Sequence, residues 1–205
     1  MQRLDAGTVE AQVDAHDRWN QVNPYVIAVN SVSGGGKTTL SRLLKEKLSA
    51  TMFCFDDFDD TNVHPDCMYD WYNRGADITE FDCPGMRVAV LNELRQPMTR
   101  HIVLDYPFGR DHPCFSDTID LSVYIDTPLD IAMARRILRD YGAVSESAEE
   151  ASGLSKLLAE LTGYEGRARR SYLEAKKHGD TCDLVLDGCG SAEDLRDQVI
   201  LKLNA

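Results

Sequence analysis

Tyr25-Val26-Ile27-Ala28-Val29-Asn30-Ser31-Val32-Ser33-Gly34-Gly35-Gly36-Lys37-Thr38-Thr39-Leu40 is the stretch that decides the fold. Its apolar opening, Tyr25 to Val29, reads as a strand buried on both faces. A loop of small residues follows from Asn30 to Gly36, and Leu40, Leu43, Leu44 and Leu48 then recur at helical spacing. Ser31 to Thr38 fits the phosphate-loop (Walker A) pattern at every position but the first, where Ser31 replaces glycine. Such a loop must point consecutive backbone N–H groups at phosphate oxygens, and side chains would block that approach. The helix N-terminus adds its dipole, Lys37 reaches the β- and γ-phosphates, and the Thr38 hydroxyl suits Mg²⁺. Ser33, Gly34, Gly35, Gly36, Lys37, Thr38 and Thr39 are therefore the candidate ATP-binding residues. A guanine-reading Asn-Lys-x-Asp and a Leu-Ser-Gly-Gly-Gln are both absent, which leaves small phosphotransferases, molecular ATPases and nucleotide sensors.

Outward from this stretch, strands are expected at Met52–Phe55, Ile102–Leu104, Leu121–Ile125 and Leu184–Leu186. Helices are expected from Pro84 to about Leu94, from Leu129 to about Tyr141 and over Arg167–Lys177, with a last one opened by the capping-box-like Ser191-Ala192-Glu193-Asp194. An amphipathic helix with Leu4, Val9, Val13 and Trp19 on one side is expected at the start. Asp59–Phe81 reads as irregular, and Gly142–Gly166 as a charged, mobile lid segment. Alternating strands and helices predict an α/β, three-layer P-loop NTPase fold over residues 1–205: a parallel sheet of about five strands, helices on both faces, and a helical lid at about 135–170. Ligands of such sheets sit beyond the strand carboxyl ends, which gathers the Asn30–Gly36 loop, Asp56-Asp57, Asp105 and Asp126 into one crevice.

The 205 residues are 43% apolar, enough for one large core and against global disorder. Acidic residues outnumber basic ones 34 to 22, for a net charge of −12, so nucleic acid and anionic membrane are not expected as partners. No apolar run approaches the roughly 18 residues of a membrane span. The first twenty residues are polar and acidic, unlike a signal or transit peptide, and a cytoplasmic protein is expected. Cys54, Cys67, Cys83, Cys114, Cys182 and Cys189 show no CxxC pair or zinc-type spacing, and reduced, mostly buried thiols are expected.

Phe55-Asp56-Asp57-Phe58-Asp59-Asp60 crowds four carboxylates into five residues. One carboxylate at a strand end can accept the proton of an attacking hydroxyl while another orients Mg²⁺-bound water; a solvated acidic loop is the bland rival. Lys37-Thr38-Thr39-Leu40, Asp56-Asp57-Phe58 and Phe81-Asp82-Cys83-Pro84 together resemble the uridine kinase and nicotinamide riboside kinase family. The resemblance continues through Arg135-Arg136-Ile137-Leu138-Arg139-Asp140, Tyr172 and Cys182-Asp183-Leu184-Val185-Leu186-Asp187-Gly188. It implies that Asp56 is the catalytic base, with Asp57 beside it at the acceptor. It also implies that Asp82 holds sugar hydroxyls, although Asp82 could equally cap the helix begun at Pro84. Asp105 stands where a Walker B acid would hold Mg²⁺ through water, where the family commonly has Glu-Gly.

Arg135, Arg136 and Arg139 fall within little more than one helical turn, with Arg167, Arg169 and Arg170 farther on. In so acidic a chain they suit a lid that neutralises a transferring phosphoryl group: Arg135 and Arg139 in catalysis, Arg136 on the nucleotide. Ion pairing such as Arg136 with Asp140 is the rival. The long base-reading insertion of uridine kinases is missing, since only about twenty residues separate Asp82 from Val103. Tyr69, Trp71, Tyr72 and Arg74 are the alternative recognition residues, with Arg110 also near the acceptor side. The expectation is an Mg-ATP-dependent kinase of a small-molecule hydroxyl, with a nucleoside or related riboside first and another sugar or alcohol second. A regulatory ATPase, or a kinase of a phosphate-bearing acceptor using Arg74, Arg110 and His112, stands behind it. Self-association is left open.

Overall fold

The computed structural model describes residues 23–142 and 149–205; the helix expected around Leu4 to Trp19 lies outside them. Along the described chain run β1 (Tyr25–Asn30), α1 (Lys37–Leu48), β2 (Thr51–Cys54), α2 (Met68–Asn73), α3 (Pro84–Glu93) and β3 (His101–Asp105). They are followed by β4 (Leu121–Asp126), α4 (Leu129–Tyr141), α5 (Glu149–Gly163), α6 (Arg169–Ala175), β5 (Leu184–Asp187) and α7 (Ala192–Leu203). The five strands form one parallel sheet in the order β2-β3-β1-β4-β5.

Strand alternation feeds two cores at once, which is why the strands read as continuous apolar runs. Val26 and Ala28 of β1, with Ile102 and Leu104 of β3, face Met86 and Val90 of α3 and an aromatic group that includes Trp71, Phe81 and Tyr106. Ile27, Val29 and Val103 face the other way, onto Leu40 and Leu44 of α1 and Leu195 and Val199 of α7. Register then sets the site: Val29 pairs with Asp105, and Asp105 with Cys54, so three strand ends lie side by side.

Pro84 occupies the first turn of α3 and Ser191 caps α7, its Oγ accepting the Asp194 N–H at 3.1 Å. Three expectations are amended. β2 ends at Cys54, because Phe55 already belongs to a 3-10 turn over Phe55–Phe58. The supposedly irregular stretch from Asp59 to Phe81 contains α2. Within Gly142–Gly166, residues 149–163 are helical and run through a π-helical turn (Tyr164–Ala168) into α6, so the expected Arg167–Lys177 helix is a continuation. Leu154, Leu158 and Leu161 carry the helical spacing there, diluted by Gly153 and Ser155. All six cysteines are free, but only Cys83 and Cys114 are buried; Cys67 and Cys189 are exposed. No described helix is long and apolar enough to cross a membrane.

Glu93 at the end of α3 binds two elements at once, accepting from the Thr51 hydroxyl at 2.7 Å and the Thr99 hydroxyl at 2.5 Å. These bonds hold its carboxyl below the usual range against a smaller opposing effect of burial. The folded chain therefore binds fewer protons than the unfolded one as pH falls toward the ordinary glutamate value of about 4.3. The resulting stability is present above that value and lost as pH drops through the lower, folded value. In urea unfolding, Glu93→Gln is expected to be less stable than the parent at pH 7, with the gap closing below about pH 4. A gap independent of pH would show that the carboxylate charge plays no part.

Candidate active site

The loop after β1 is shaped by its glycines and pinned by hydroxyls. Gly34 and Gly36 adopt φ of +80° and +105°, the left-handed region that side chains resist. A Cβ on Gly34 would lie 2.1 Å from the Ala132 carbonyl oxygen of α4, and one on Gly35 would lie 1.9 Å from Ser31 Oγ. Ser31 therefore fills the space that Gly35 vacates, and its hydroxyl donates to Ile125 O at the end of β4 (2.7 Å). Thr127 Oγ1 donates to Gly35 O at 2.8 Å. The departure from the glycine pattern at Ser31 is thus a tether to the neighbouring strand. Gly36 supplies no side-chain cap to α1, which leaves the first-turn N–H groups facing the loop.

Lys37 Nζ donates to the carbonyls of Ser31 (3.1 Å) and Val32 (3.4 Å). Burial pushes its pKa down, opposed by the nearby charges of Asp105 and Asp56. Thr38 Oγ1 donates to Asp105 Oδ2 at 2.6 Å, and the Cys54 thiol sits 3.4 Å from the same oxygen. Burial, with Asp105 adding to it, pushes that thiol up to about 12, so Cys54 stays protonated beside the carboxylate. Asp105 itself is 3% exposed. A glycine loop leading into the side-chain-uncapped first turn of α1, an amine hydrogen-bonded only to carbonyls, and a hydroxyl–carboxylate pair fit a nucleoside triphosphate with Mg²⁺; Thr38 and Asp105 would hold the metal.

A cavity of about 670 Å³ opens beyond these groups. Ser33, Lys37, Asp56 and Asp105 line it on the polar side, and Trp71, Ile78, Phe81 and Phe108 supply its apolar walls. Phe81 stacks edge-on to Trp71 (5.4 Å) and tilted against Phe108 (4.9 Å), so the three rings form one surface. Asp111 and His178, 2.5 Å apart, add a polar patch from the segment after β3 and the turn after α6.

The other expected residues lie elsewhere. Asp57 and Tyr69 are exposed and do not line this cavity. Arg74 makes a two-pronged pair with Glu80 (2.9 and 3.2 Å). Arg110 binds Asp183 and the Asp120 carbonyl, each at 2.5 Å. Asp82 accepts from the Cys83 N–H (2.8 Å) and the Cys114 thiol (3.1 Å), outside the cavity lining. Of the lid arginines, Arg139 pairs with Asp140 at 2.6 Å, close enough for the Asp56 charge to favour its protonated form and for its own charge to oppose that of Lys37. Arg136 binds Glu160 of α5 and the Tyr172 hydroxyl of α6, with Asp140 at 3.9 Å, so the rival ion pair is real but secondary. Arg135 donates to the Gly188 carbonyl at 3.1 Å. Sequence reasoning missed Thr127, Asp111 and His178; the last two are 67 residues apart, and no local pattern links them.

No family model and no curated protein matches this chain. Solved structures do. The APS kinase of Mycobacterium tuberculosis, in complex with AMPPNP and APS, aligns with a TM-score of 0.53 and 17% identity over 89% of this chain and 99% of its own. A gluconokinase from Sinorhizobium meliloti 1021 gives 0.48 and 16% over 85% and 89%, and shikimate kinase from Aquifex aeolicus gives 0.46 and 15% over 87% and 96%. At such identities the likeness is one of fold: this chain has a three-layer α/β P-loop fold, in common with the APS kinase.

Proposed function

We propose that the chain is a kinase that uses Mg-ATP to phosphorylate a hydroxyl of a small, uncharged, ring-bearing metabolite, nucleoside-like in shape. The observation that carries this reading is that Lys37, Asp56 and Asp105 line one cavity with the Trp71–Phe81–Phe108 surface. When bound, Mg-ATP supplies the transferable phosphoryl group and the charge that shields it. Asp56 accepts the acceptor's hydroxyl proton, its carboxylate presented by the turn that Asn62 fastens to the Phe55 carbonyl at 2.9 Å. Lys37, held here by the Ser31 and Val32 carbonyls, would bind phosphate oxygens, and Thr38 and Asp105 would hold the metal. Arg139, already within electrostatic reach of Asp56 and Lys37, spreads its charge over the transferring group together with Arg135 and Arg136.

The ring-faced walls suit stacking on a planar group, while Asp111 and His178 offer partners for hydroxyls. Support for a phosphate-bearing acceptor is weaker: Arg74, Arg110 and His112 are turned to Glu80, Asp183 and Tyr106. A regulatory ATPase is the second reading, favoured only by the missing base-reading insertion.

ATP consumption with Mg²⁺ across nucleosides, ribosides, sugars and vitamins separates the readings. One acceptor is expected to accelerate turnover far above background; uniform slow hydrolysis would favour the ATPase. With that acceptor, Asp56→Asn is expected to lower kcat by about 10²–10⁴ while nucleotide affinity is unchanged; unaltered turnover would remove Asp56 as the base. Lys37→Ala is expected to weaken ATP binding itself by about 10–100-fold in calorimetry, and full affinity would count against the phosphate loop.

A further inference from the structure

Asp82, Cys83 and Cys114 lie outside the nucleotide and acceptor machinery described above, yet they converge. A carboxylate oxygen of Asp82 and the sulfurs of Cys83 and Cys114 all lie within 4.8 Å of one another. Each root is fixed. Asp82 exchanges two backbone hydrogen bonds with Val63, at 2.9 and 3.1 Å. Cys83 opens α3, and the Cys114 N–H donates to His112 Nδ1 at 3.2 Å. His112 is buried, with Nε2 facing the Phe81 carbonyl at 2.9 Å; that oxygen only accepts, so the partners assign the ring proton to Nε2. Nδ1 then accepts from the Tyr106 hydroxyl at 2.7 Å, and the Cys83 thiol points at that hydroxyl from 4.0 Å.

Two thiols buried against a carboxylate form an odd core. Cys83 is fully buried and Cys114 nearly so. Asp82 is exposed, yet one carboxylate oxygen turns inward to accept a hydrogen bond from the Cys114 thiol. A tetrahedral thiophilic ion has M–S near 2.3 Å and M–O of about 2.0–2.2 Å, which sets its donors roughly 3.5–3.8 Å apart. The three donors therefore need to move by no more than about an ångström. Tyr106 and His112 stand behind Cys83 as the supporting shell such sites need. The exposed side of Asp82 gives an entry path and room for a water as fourth ligand.

We propose that Asp82, Cys83 and Cys114 form a binding site for a thiophilic divalent cation of the zinc class, distinct from the Mg²⁺ position at Thr38 and Asp105. Binding exchanges protons for metal: each thiol releases its proton, the two thiolates and the Asp82 carboxylate bind the ion, and nothing is oxidised or reduced. A donor set with two sulfurs selects Zn²⁺, Co²⁺ or Cd²⁺ over Mg²⁺ or Ca²⁺, so the two metal sites do not compete.

The test is a titration of the reduced full chain with Co²⁺, read by absorption. One equivalent is expected to produce thiolate-to-cobalt charge-transfer bands and tetrahedral d–d bands. Zn²⁺ should displace them, excess Mg²⁺ should not, and about two protons should be released per ion. The bands should survive the exposed double replacement Cys67→Ser/Cys189→Ser and disappear in Cys114→Ser. Asp82→Asn, at an exposed position that leaves the thiols intact, should weaken Co²⁺ affinity by about 10–100-fold with an unchanged far-ultraviolet circular dichroism spectrum. Absence of thiolate bands in the folded parent chain, their persistence in Cys114→Ser, their loss with the exposed cysteines, or full affinity in Asp82→Asn would each overturn the site. None of these readouts depends on kinase activity.

Discussion

The candidate active site depends on how the loop after β1 is tied to the strands on either side of it. A parallel sheet brings the carboxyl ends of β3, β1 and β4 together, but it does not by itself hold a run of three glycines in one shape. Hydroxyls do that. Ser31 donates to the Ile125 carbonyl near the end of β4, Thr127 holds the Gly35 carbonyl, and Thr38 reaches the acid that ends β3. Each bond joins residues more than sixty positions apart, so the loop's geometry is a property of the sheet order and not of the glycine run. Gly188 repeats the logic one strand over: a Cβ there would lie 1.9 Å from Thr127 Oγ1, so the turn after β5 must be bare for Thr127 to reach the loop.

What the sequence makes legible follows from the range of the forces involved. The periodicity of the five strands and of α1, α3, α4 and α7, the proline that starts α3 and the serine that caps α7 are local, and they place those elements correctly, whereas α2 and α5 carry too weak a pattern to be read. The phosphate loop reads for the same reason: its chemistry requires contiguous backbone. Side-chain direction is not local. Asp82 looked equally suited to sugar hydroxyls or to a helix cap; its orientation is decided by Cys114, thirty-two positions away. Arg74 and Arg110 offered positive charge to an acceptor, but Glu80 and Asp183 hold them. Of the aromatic cluster before Phe81, Trp71 alone lines the cavity, and the wall is completed by Phe81 and by Phe108 from beyond β3.

Composition set one further problem that the structure answers. A chain of net charge −12 must offer a polyanion a local field opposite to its mean field. The cations that the proposed function needs each have a partner in this structure. Lys37 rests on carbonyl dipoles, Arg135 on a carbonyl, Arg139 on Asp140, and Arg136 on Glu160 and Tyr172.

These partners differ in how readily they yield. A carbonyl offers only a dipole, so replacing it with a phosphate oxygen strengthens the bond to Lys37 and leaves the carbonyl to neighbouring N–H groups. Arg136 is different. Its guanidinium bridges a carboxylate on α5 and a phenol on α6, and Tyr141 donates to the second oxygen of that same carboxylate at 2.7 Å. Withdrawing Arg136 toward a nucleotide would leave the Glu160 carboxylate with the Tyr141 hydroxyl but no cation, a penalty that a concerted shift of α5 and α6 would reduce. The kinase reading therefore couples two events that sequence treats as separate, arginine recruitment and lid movement. Tyr172 is the joint between them, since it binds Arg136 and lines the same cavity as Ser33 of the phosphate loop.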